Sequence, residues 1–220
     1  MNLKLESIKQ IKGKILLKSG LHIGAGDTQM HIGGTDAPVI KHPHTLEPYI
    51  PGSSLKGKVR ALLELKEGYV GKTDGKPYST RVLSGLDDRS RTHCENLLKL
   101  FGTSGDDDGS ELGPTRVSFA DATLSEESRS DLTNNRWPMT EVKAENTINR
   151  IKGTAEHPRF IERVVPGLKF DFSISLKHFE GDEGIEELLR EGLSLLEKDS
   201  LGGSGSRGYG RIEFEFSNQA

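Results

Sequence analysis

Apolar and polar residues alternate through residues 8–23, the period of a half-buried strand, and the pattern stops at Gly24-Ala25-Gly26. Residues 27–50 form a long irregular connection. Pro51-Gly52-Ser53-Ser54 then introduces a helix, with a serine as N-cap and Leu55, Val59, Leu62 and Leu63 at core-face spacing. Residues 68–113 are polar and broken by Gly and Pro apart from a helical patch at 94–101, which predicts an insertion free to move as a lid. Residues 115–124 predict a strand, and 139–165 a polar excursion with two strand-like arms, a long hairpin. A clean alternating strand follows at 168–176. Asp182 opens an amphipathic helix to Lys198 that buries Ile185, Leu188, Leu189, Leu193 and Leu196, and residues 211–216 close the chain as a strand.

This order predicts an α+β fold: a ferredoxin-like (RRM-like) βαββαβ core, residues 1–220 in a single domain, with a lid-like insertion at about 68–113 and a thumb-like β-hairpin at 139–165. A length of 220 residues suits one core enlarged by insertions. No apolar run reaches the roughly 18 residues of a membrane span, and the start lacks a signal core, so a cytoplasmic protein with no membrane partner is expected. The single cysteine, Cys94, excludes an internal disulfide. A net charge of −3 excludes RNA binding by bulk positive charge, so any nucleic-acid surface must be local.

Two apparent nucleotide motifs fail on context. Gly203-Ser204-Gly205-Ser206-Arg207-Gly208 spells GxGxxG but follows a helix and opens the last strand, the reverse of a dinucleotide fingerprint. Gly71-Lys72-Thr73 imitates a P-loop, but Lys66 stands where its first glycine is required. The glycine-rich loop still fits two readings, a flexible turn or a close approach to a phosphate backbone with Arg207 beside it. Lys56, Lys58 and Arg60 flank the apolar stripe of their helix, as a solvated cationic face or as a phosphate grip, and the helix N-terminus at Ser54 favours an anion. Asp36, in a glycine-flanked loop, reads in isolation as a turn aspartate. His93 and Cys94 lack the further cysteine of a zinc site, Asp106, Asp107 and Asp108 lack EF-hand spacing, and His22, His31, His42 and His44 show no metal spacing.

The motifs together go further. Thr35-Asp36-Ala37-Pro38-Val39-Ile40-Lys41, then residues 49–60 (Tyr49-Ile50-Pro51-Gly52-Ser53-Ser54 and onward), then Gly203 through Ile212, in that order and separation, resemble the RAMP-superfamily backbone subunit of type III-A CRISPR (Csm) complexes. Residues 141–150, with Arg159, Glu162, Arg163 and Gly167, match the family's thumb, and Lys99-Leu100-Phe101-Gly102 a further segment. The resemblance spans nearly the whole chain. It implies a filament of copies along CRISPR RNA, held with other Csm subunits, that cleaves base-paired target RNA at regular intervals with Mg²⁺ or another divalent cation, the aspartate recruiting the metal or accepting the 2′-hydroxyl proton. By matching position it makes Asp36 the catalytic aspartate, and places Ser54, Lys56, Lys58, Arg60, Gly203, Gly205, Arg207 and Gly208 on the guide-RNA surface, with His22 and Arg150 as further RNA contacts. A non-catalytic guide-RNA scaffold, a stand-alone ribonuclease that processes precursor RNA and the equivalent subunit of a Cmr complex are the rival readings.

Overall fold

The computed structural model describes residues 3–26, 36–103 and 110–217. His31, Thr35, Asp106, Asp107, Asp108 and the glycines at 33 and 34 lie outside them. The architecture is mixed α/β with two antiparallel sheets. The main sheet holds β1 (Leu5–Leu17), β2 (Tyr49–Ile50), β3 (Val117–Phe119), β4 (Ala122–Leu124), β7 (Lys169–Phe179) and β8 (Ile212–Phe216), in the order β2-β4-β7-β1-β8 with β3 also on β7. A second sheet is the hairpin β5 (Thr140–Ile148) and β6 (Ala155–Val164). The helices are α1 (Gly52–Glu67), α2 (Asp88–Phe101), α3 (Glu126–Asn135) and α4 (Ile185–Lys198).

β1 and β7 form the spine, paired from Leu5↔Phe179 to Leu16↔Lys169. Alternation puts Ile11, Ile15 and Leu17 of β1 with Phe170, Phe172, Ile174 and Leu176 of β7 into one core, while Gln10, Ser173 and Ser175 bond to one another on the opposite face. Leu55, Val59 and Leu63 of α1 and Ile185, Leu189, Leu193 and Leu196 of α4 complete that core. The two helices approach closely at Gly192, where an added Cβ would stand 2.6 Å from Val59 and 2.8 Å from Leu63.

Several elements differ from the sequence reading, each for a local reason. β1 ends at Leu17 instead of running to Ile23, because the chain leaves the sheet and Leu21 bridges Val164 of the hairpin. α1 starts at Gly52 with Pro51 as its N-cap and no side-chain cap bond; no serine caps it, and Asp121 between β3 and β4 accepts the Gly52 amide at 2.7 Å. That use of Asp121 also splits the strand expected over 115–124 into β3 and β4. Asp182 does not open α4, which begins after Gly184; its carboxylate is 3 % exposed in an ion pair with Arg116.

The segment at 68–113 is less loosely attached than its composition suggested. Two short 3-10 turns (Val70–Thr73 and Thr80–Leu83) and α2 bury Tyr78, Val82, Cys94, Leu97, Leu98, Leu100 and Phe101 in the same core as the sheet. Glu64 of α1 accepts the Tyr78 amide at 2.9 Å, and the Tyr78 hydroxyl donates to the Glu64 carbonyl at 2.7 Å. Burial pushes that hydroxyl up to about 12, so it stays a donor.

Candidate RNA-cleavage site at the base of the hairpin

β6 is the element on which the site hangs. Where the hairpin meets the body, two segments that belong to no long strand dock on it. Leu21 exchanges backbone bonds with Val164, at 3.1 and 2.8 Å. Ala37 bridges Ile161, and its carbonyl accepts the Glu162 amide at 3.1 Å. The two segments also bond each other, since Gly24 bridges Val39 and the Ile40 amide donates to the Ile23 carbonyl at 2.8 Å. Backbone groups that a loop would leave to water are thus satisfied as in a small sheet.

Asp36 sits at the exposed end of this arrangement. Its amide donates to the Phe160 carbonyl at 3.1 Å, and its Oδ2 accepts the Phe160 amide at 2.8 Å. Among the described residues no donor reaches Oδ1. The carboxylate is therefore fixed through Oδ2 on β6, beside exposed Phe160. His22 hangs from the same strand two residues on: its Nδ1 lies 2.7 Å from the Glu162 carbonyl, which can only accept, so Nδ1 carries a proton and the ring is oriented by that bond. Two residues of strand set the two anchors roughly 7 Å apart.

Glu162 locks the Asp36 segment in place. Its buried carboxylate accepts the Val39 amide at 2.9 Å, Lys41 Nζ at 2.6 Å and the Thr140 hydroxyl at 2.8 Å. Burial alone would raise this group; the bonds from Lys41, Val39 and Thr140 outweigh it and hold the carboxyl below its ordinary range. Glu162 and Lys41 carried no role in the sequence reading beyond lying in matched segments. Only their separation, 121 residues, hides a pairing that opposite charges and β6 bring about.

The glycine-rich loop closes against His22. The Gly203 amide donates to the His22 carbonyl at 2.8 Å, and the imidazole lies against Gly203 and Gly24, with an added Cβ 3.4 Å from Cδ2 and 3.6 Å from Nε2 respectively. Gly205 packs on Ser200 so closely that a Cβ would collide with its hydroxyl, and Gly208 takes a left-handed φ of 85° facing open space. Arg207 forms an ion pair with Glu145 of β5, Nε to Oε2 at 3.0 Å, and donates a hydrogen bond to the Ser204 hydroxyl. The Tyr209 hydroxyl donates to the same Glu145 carboxylate at 2.8 Å, and burial, then that carboxylate, raises the phenol above its usual range.

The cations of α1 divide. Lys58 pairs with Asp199 at 2.7 Å, next to the start of the glycine-rich loop, and Ser54 lies in the first turn of the helix. Lys56 has no carboxylate partner among the described residues, and partial burial, then the charge of Arg60, lowers its pKa. Arg60, expected on the phosphate surface, is held within the chain in this structure. Its Nε is bonded to Glu64 at 2.6 Å and its Nη2 to the Tyr78 carbonyl at 2.8 Å, so the guanidinium holds the 68–113 segment. Arg150 stands at the hairpin tip, bonded to the Ile148 carbonyl and remote from the other candidates in the chain's hydrogen bonds. The structure thus gathers His22, Asp36 and Gly203 around β6 and joins Arg207 to the hairpin, while Arg60 and Arg150 stand apart.

Among the described residues no three His, Cys, Asp or Glu side chains come together as a metal centre. His93 faces Glu67 at 3.6 Å, and buried Cys94 has its thiol pushed up to about 11 by burial. No helix among these residues is long and apolar enough to cross a membrane.

An exposed carboxylate and an imidazole on one strand, a glycine-rich loop beside them and a projecting hairpin are features of a nucleic-acid-handling protein, and the sequence places the chain in a class of such proteins: it belongs to the RAMP superfamily, whose profile matches residues 14–213. Within that class it is similar to the CRISPR system Cms endoribonuclease Csm3 of Streptococcus thermophilus, 43 % identical over 94 % of this chain and 86 % of the relative. The Csm3 endoribonuclease of Methanothermobacter thermautotrophicus is 41 % identical over 93 % of this chain and 82 % of its own. Among solved structures, a Csm3-Csm4 subcomplex of the type III-A CRISPR-Cas interference complex matches at 30 % identity and TM-score 0.57, covering 98 % of this chain and 78 % of that one. The Methanopyrus kandleri Csm3 crystal structure matches at 26 % identity and TM-score 0.61, with coverages of 97 % and 76 %.

Proposed function

We propose that this chain is a guide-RNA-binding backbone subunit of a type III-A (Csm) effector complex in antiviral defence, and an endoribonuclease that cuts guide-bound target RNA with Asp36. The observation that carries this reading is the docking of residues 36–41 on β6, which holds an exposed carboxylate through one oxygen where the hairpin leaves the body. Relatives named as endoribonucleases at 41–43 % identity support it.

The strand order β8-β1-β7 followed by β3 and β4, with α1 after β1 and α4 after β7, supports a ferredoxin-like core. In this reading β5 and β6 are the thumb and residues 68–113 the lid. Copies of the chain assemble as a filament along CRISPR RNA, beside other Csm subunits, in the cytoplasm. Guide recognition runs through phosphates and shape, because one subunit must serve guides of many sequences. Ser54, Lys56 and Lys58, the glycine-rich loop with Arg207, and His22 form that surface.

Cleavage needs the 2′-oxygen of one target nucleotide in line with the P–O5′ bond of its own 3′-phosphate, so that the 2′-O–P bond forms as the 5′-oxygen of the next nucleotide leaves with a proton from water and a 2′,3′-cyclic phosphate remains, a geometry that a regular A-form duplex withholds. The hairpin is the wedge that displaces a nucleotide from the duplex. Asp36 then stands at the displaced nucleotide, its Oδ2 held by the Phe160 amide and its Oδ1 free to accept the 2′-hydroxyl proton or to carry a cation. Mg²⁺ suits the second role, since it is commonly held by one or two carboxylates together with substrate phosphates and water, and it would stabilise charge on the phosphorane. His22 Nε2 is a further contact to the same substrate.

The test is cleavage of a labelled complementary RNA by the assembled, guide-bound complex with Mg²⁺, wild type against Asp36→Ala at equal target binding. Evenly spaced products should fall by at least about 10²-fold in the variant, the scale of a positioned proton acceptor. Unchanged cleavage removes Asp36 from the reaction, and an inactive wild type leaves a guide-RNA scaffold.

A further inference from the structure

The glycine-rich loop contains an anion position that a protein carboxylate already fills. Glu145 of β5 reaches across to the loop, where one carboxylate oxygen lies 3.0 Å from Arg207 Nε in an ion pair and the other accepts the Tyr209 hydroxyl at 2.8 Å. Two more cations surround the same place. Lys143 Nζ lies 3.7 Å from the Glu145 carboxylate and 4.7 Å from the centre of the Tyr209 ring, and the Arg163 guanidinium lies 4.9 Å from that ring. Arg163 is bonded to Glu141 at 2.8 Å. Three cations and a phenol thus face two carboxylates, and Glu145 is the one that occupies the centre.

A carboxylate and a phosphate offer an arginine fork equivalent oxygens, so one can replace the other on the same donors. Glu145 is only 15 % exposed, whereas Arg207 is 54 % exposed, so an incoming phosphate can reach the guanidinium while the carboxylate yields by turning on its strand. The left-handed turns at Ser204 and Gly208 hold Arg207 on a short 3-10 turn, Gly205–Arg207, that needs no rearrangement for the exchange.

We propose that Glu145 is a specificity-determining residue for RNA loading: it occupies the Arg207–Tyr209 anion position in the free chain, and RNA phosphate must displace it. This rests on the reading of Arg207 as a guide-phosphate contact. Each RNA pays the cost of that displacement at one position of the groove. A guide engaged along the remaining groove overcomes it, whereas RNA held by few contacts does not. A purely structural ion pair between hairpin and loop makes the opposite prediction, since breaking it would loosen the loop and weaken RNA binding.

The experiment is fluorescence anisotropy of the purified full chain with a labelled single-stranded oligouridine RNA over a range of salt, comparing wild type, Glu145→Gln, Arg207→Ala, the double variant, and Glu156→Gln. Glu156 is a hairpin carboxylate bonded to Asn149 and not to the loop, and it controls for bulk charge. Glu145→Gln should bind about tenfold more tightly, with a salt slope steeper by about 0.7, the value of one additional phosphate contact on a single strand. The gain should vanish in the Arg207→Ala background. Unchanged or weaker binding by Glu145→Gln overturns the proposal, as does an equal gain in Glu156→Gln or one that survives Arg207→Ala. A wild-type chain that binds no RNA defeats guide binding itself; a binding wild type with a neutral Glu145→Gln defeats the displacement alone.

Discussion

Replacing Asp182 by Asn removes one negative charge from the most enclosed ion pair among the described residues while changing hardly any volume. Arg116 and Asp182 are 2 % and 3 % exposed at the side chain. The guanidinium donates Nε to Oδ2 at 3.0 Å and Nη2 to Oδ1 at 3.1 Å, a two-pronged contact, and Nη1 donates to the Leu112 and Pro114 carbonyls at 2.7 and 2.6 Å. The ring of Phe179 lies 4.8 Å away, and the Phe179 amide donates to Oδ2 at 3.1 Å. Asn can accept with one oxygen only, and its amide protons then meet the protons of the arginine. Removing one partner of a buried pair typically costs about 3–5 kcal/mol, because the other charge stays behind. Two carbonyls and an aromatic face still solvate Arg116, which places the expected cost near the lower end, about 3 kcal/mol. For a chain of this size each kcal/mol moves Tm by about 2–4 °C, so thermal unfolding should shift down by roughly 6–12 °C.

The same carboxyl makes the loss depend on pH. Burial raises it, but the Arg116 fork and the Phe179 amide outweigh burial and hold it below its ordinary value. A depressed native pKa adds stability that is fully present above the unfolded value of about 3.9 and is lost as pH falls through the native value. Calorimetry of wild type should therefore show an acid-side decline that is shallower in Asp182→Asn. Joint replacement by Arg116→Met and Asp182→Leu should cost less than either single change. An Asp182→Asn protein with unchanged Tm at neutral pH would refute the reasoning, because no enclosed charge would then have been stranded.

Two further predictions concern the site and the core. Glu162→Gln strands Lys41, which is 35 % exposed and can turn to water, so its cost should be smaller, about 1–2 kcal/mol by denaturant titration; wild type should also lose this increment in acid, below about pH 4.5, because the native carboxyl is held low. Gly192→Val places branched carbons against Val59 and Leu63 where α1 and α4 touch, and overpacking of this kind should cost about 1–3 kcal/mol, read as a lower denaturation midpoint at unchanged slope.

Elements with a strong period were legible in the sequence. The alternation over 168–176 became β7, the stripe after Asp182 became α4, and the arms of 139–165 became β5 and β6. α3 was missed because its exposed polar surface carries almost no apolar stripe, although Ser125 capping Ser128 at 3.2 Å, with Glu126 and Glu127 behind it, is a start signal. The burial of residues 78–101 was illegible, since Tyr78 is anchored by a carboxylate on α1 that no local pattern connects to it. At the site, Asp36 and His22 were found through the resemblance. Their common anchor on β6 arises from pairings more than a hundred residues apart. The partners of Arg60, Glu64 and the Tyr78 carbonyl, were illegible because spacing on a helix shows which side a residue takes and not which neighbour waits there.

β6 is one continuous strand from the hairpin's far end to its root, and Asp36 is bonded to Phe160 within it. A hairpin that tilts about its root therefore carries the carboxylate with it, and the two move as one lever.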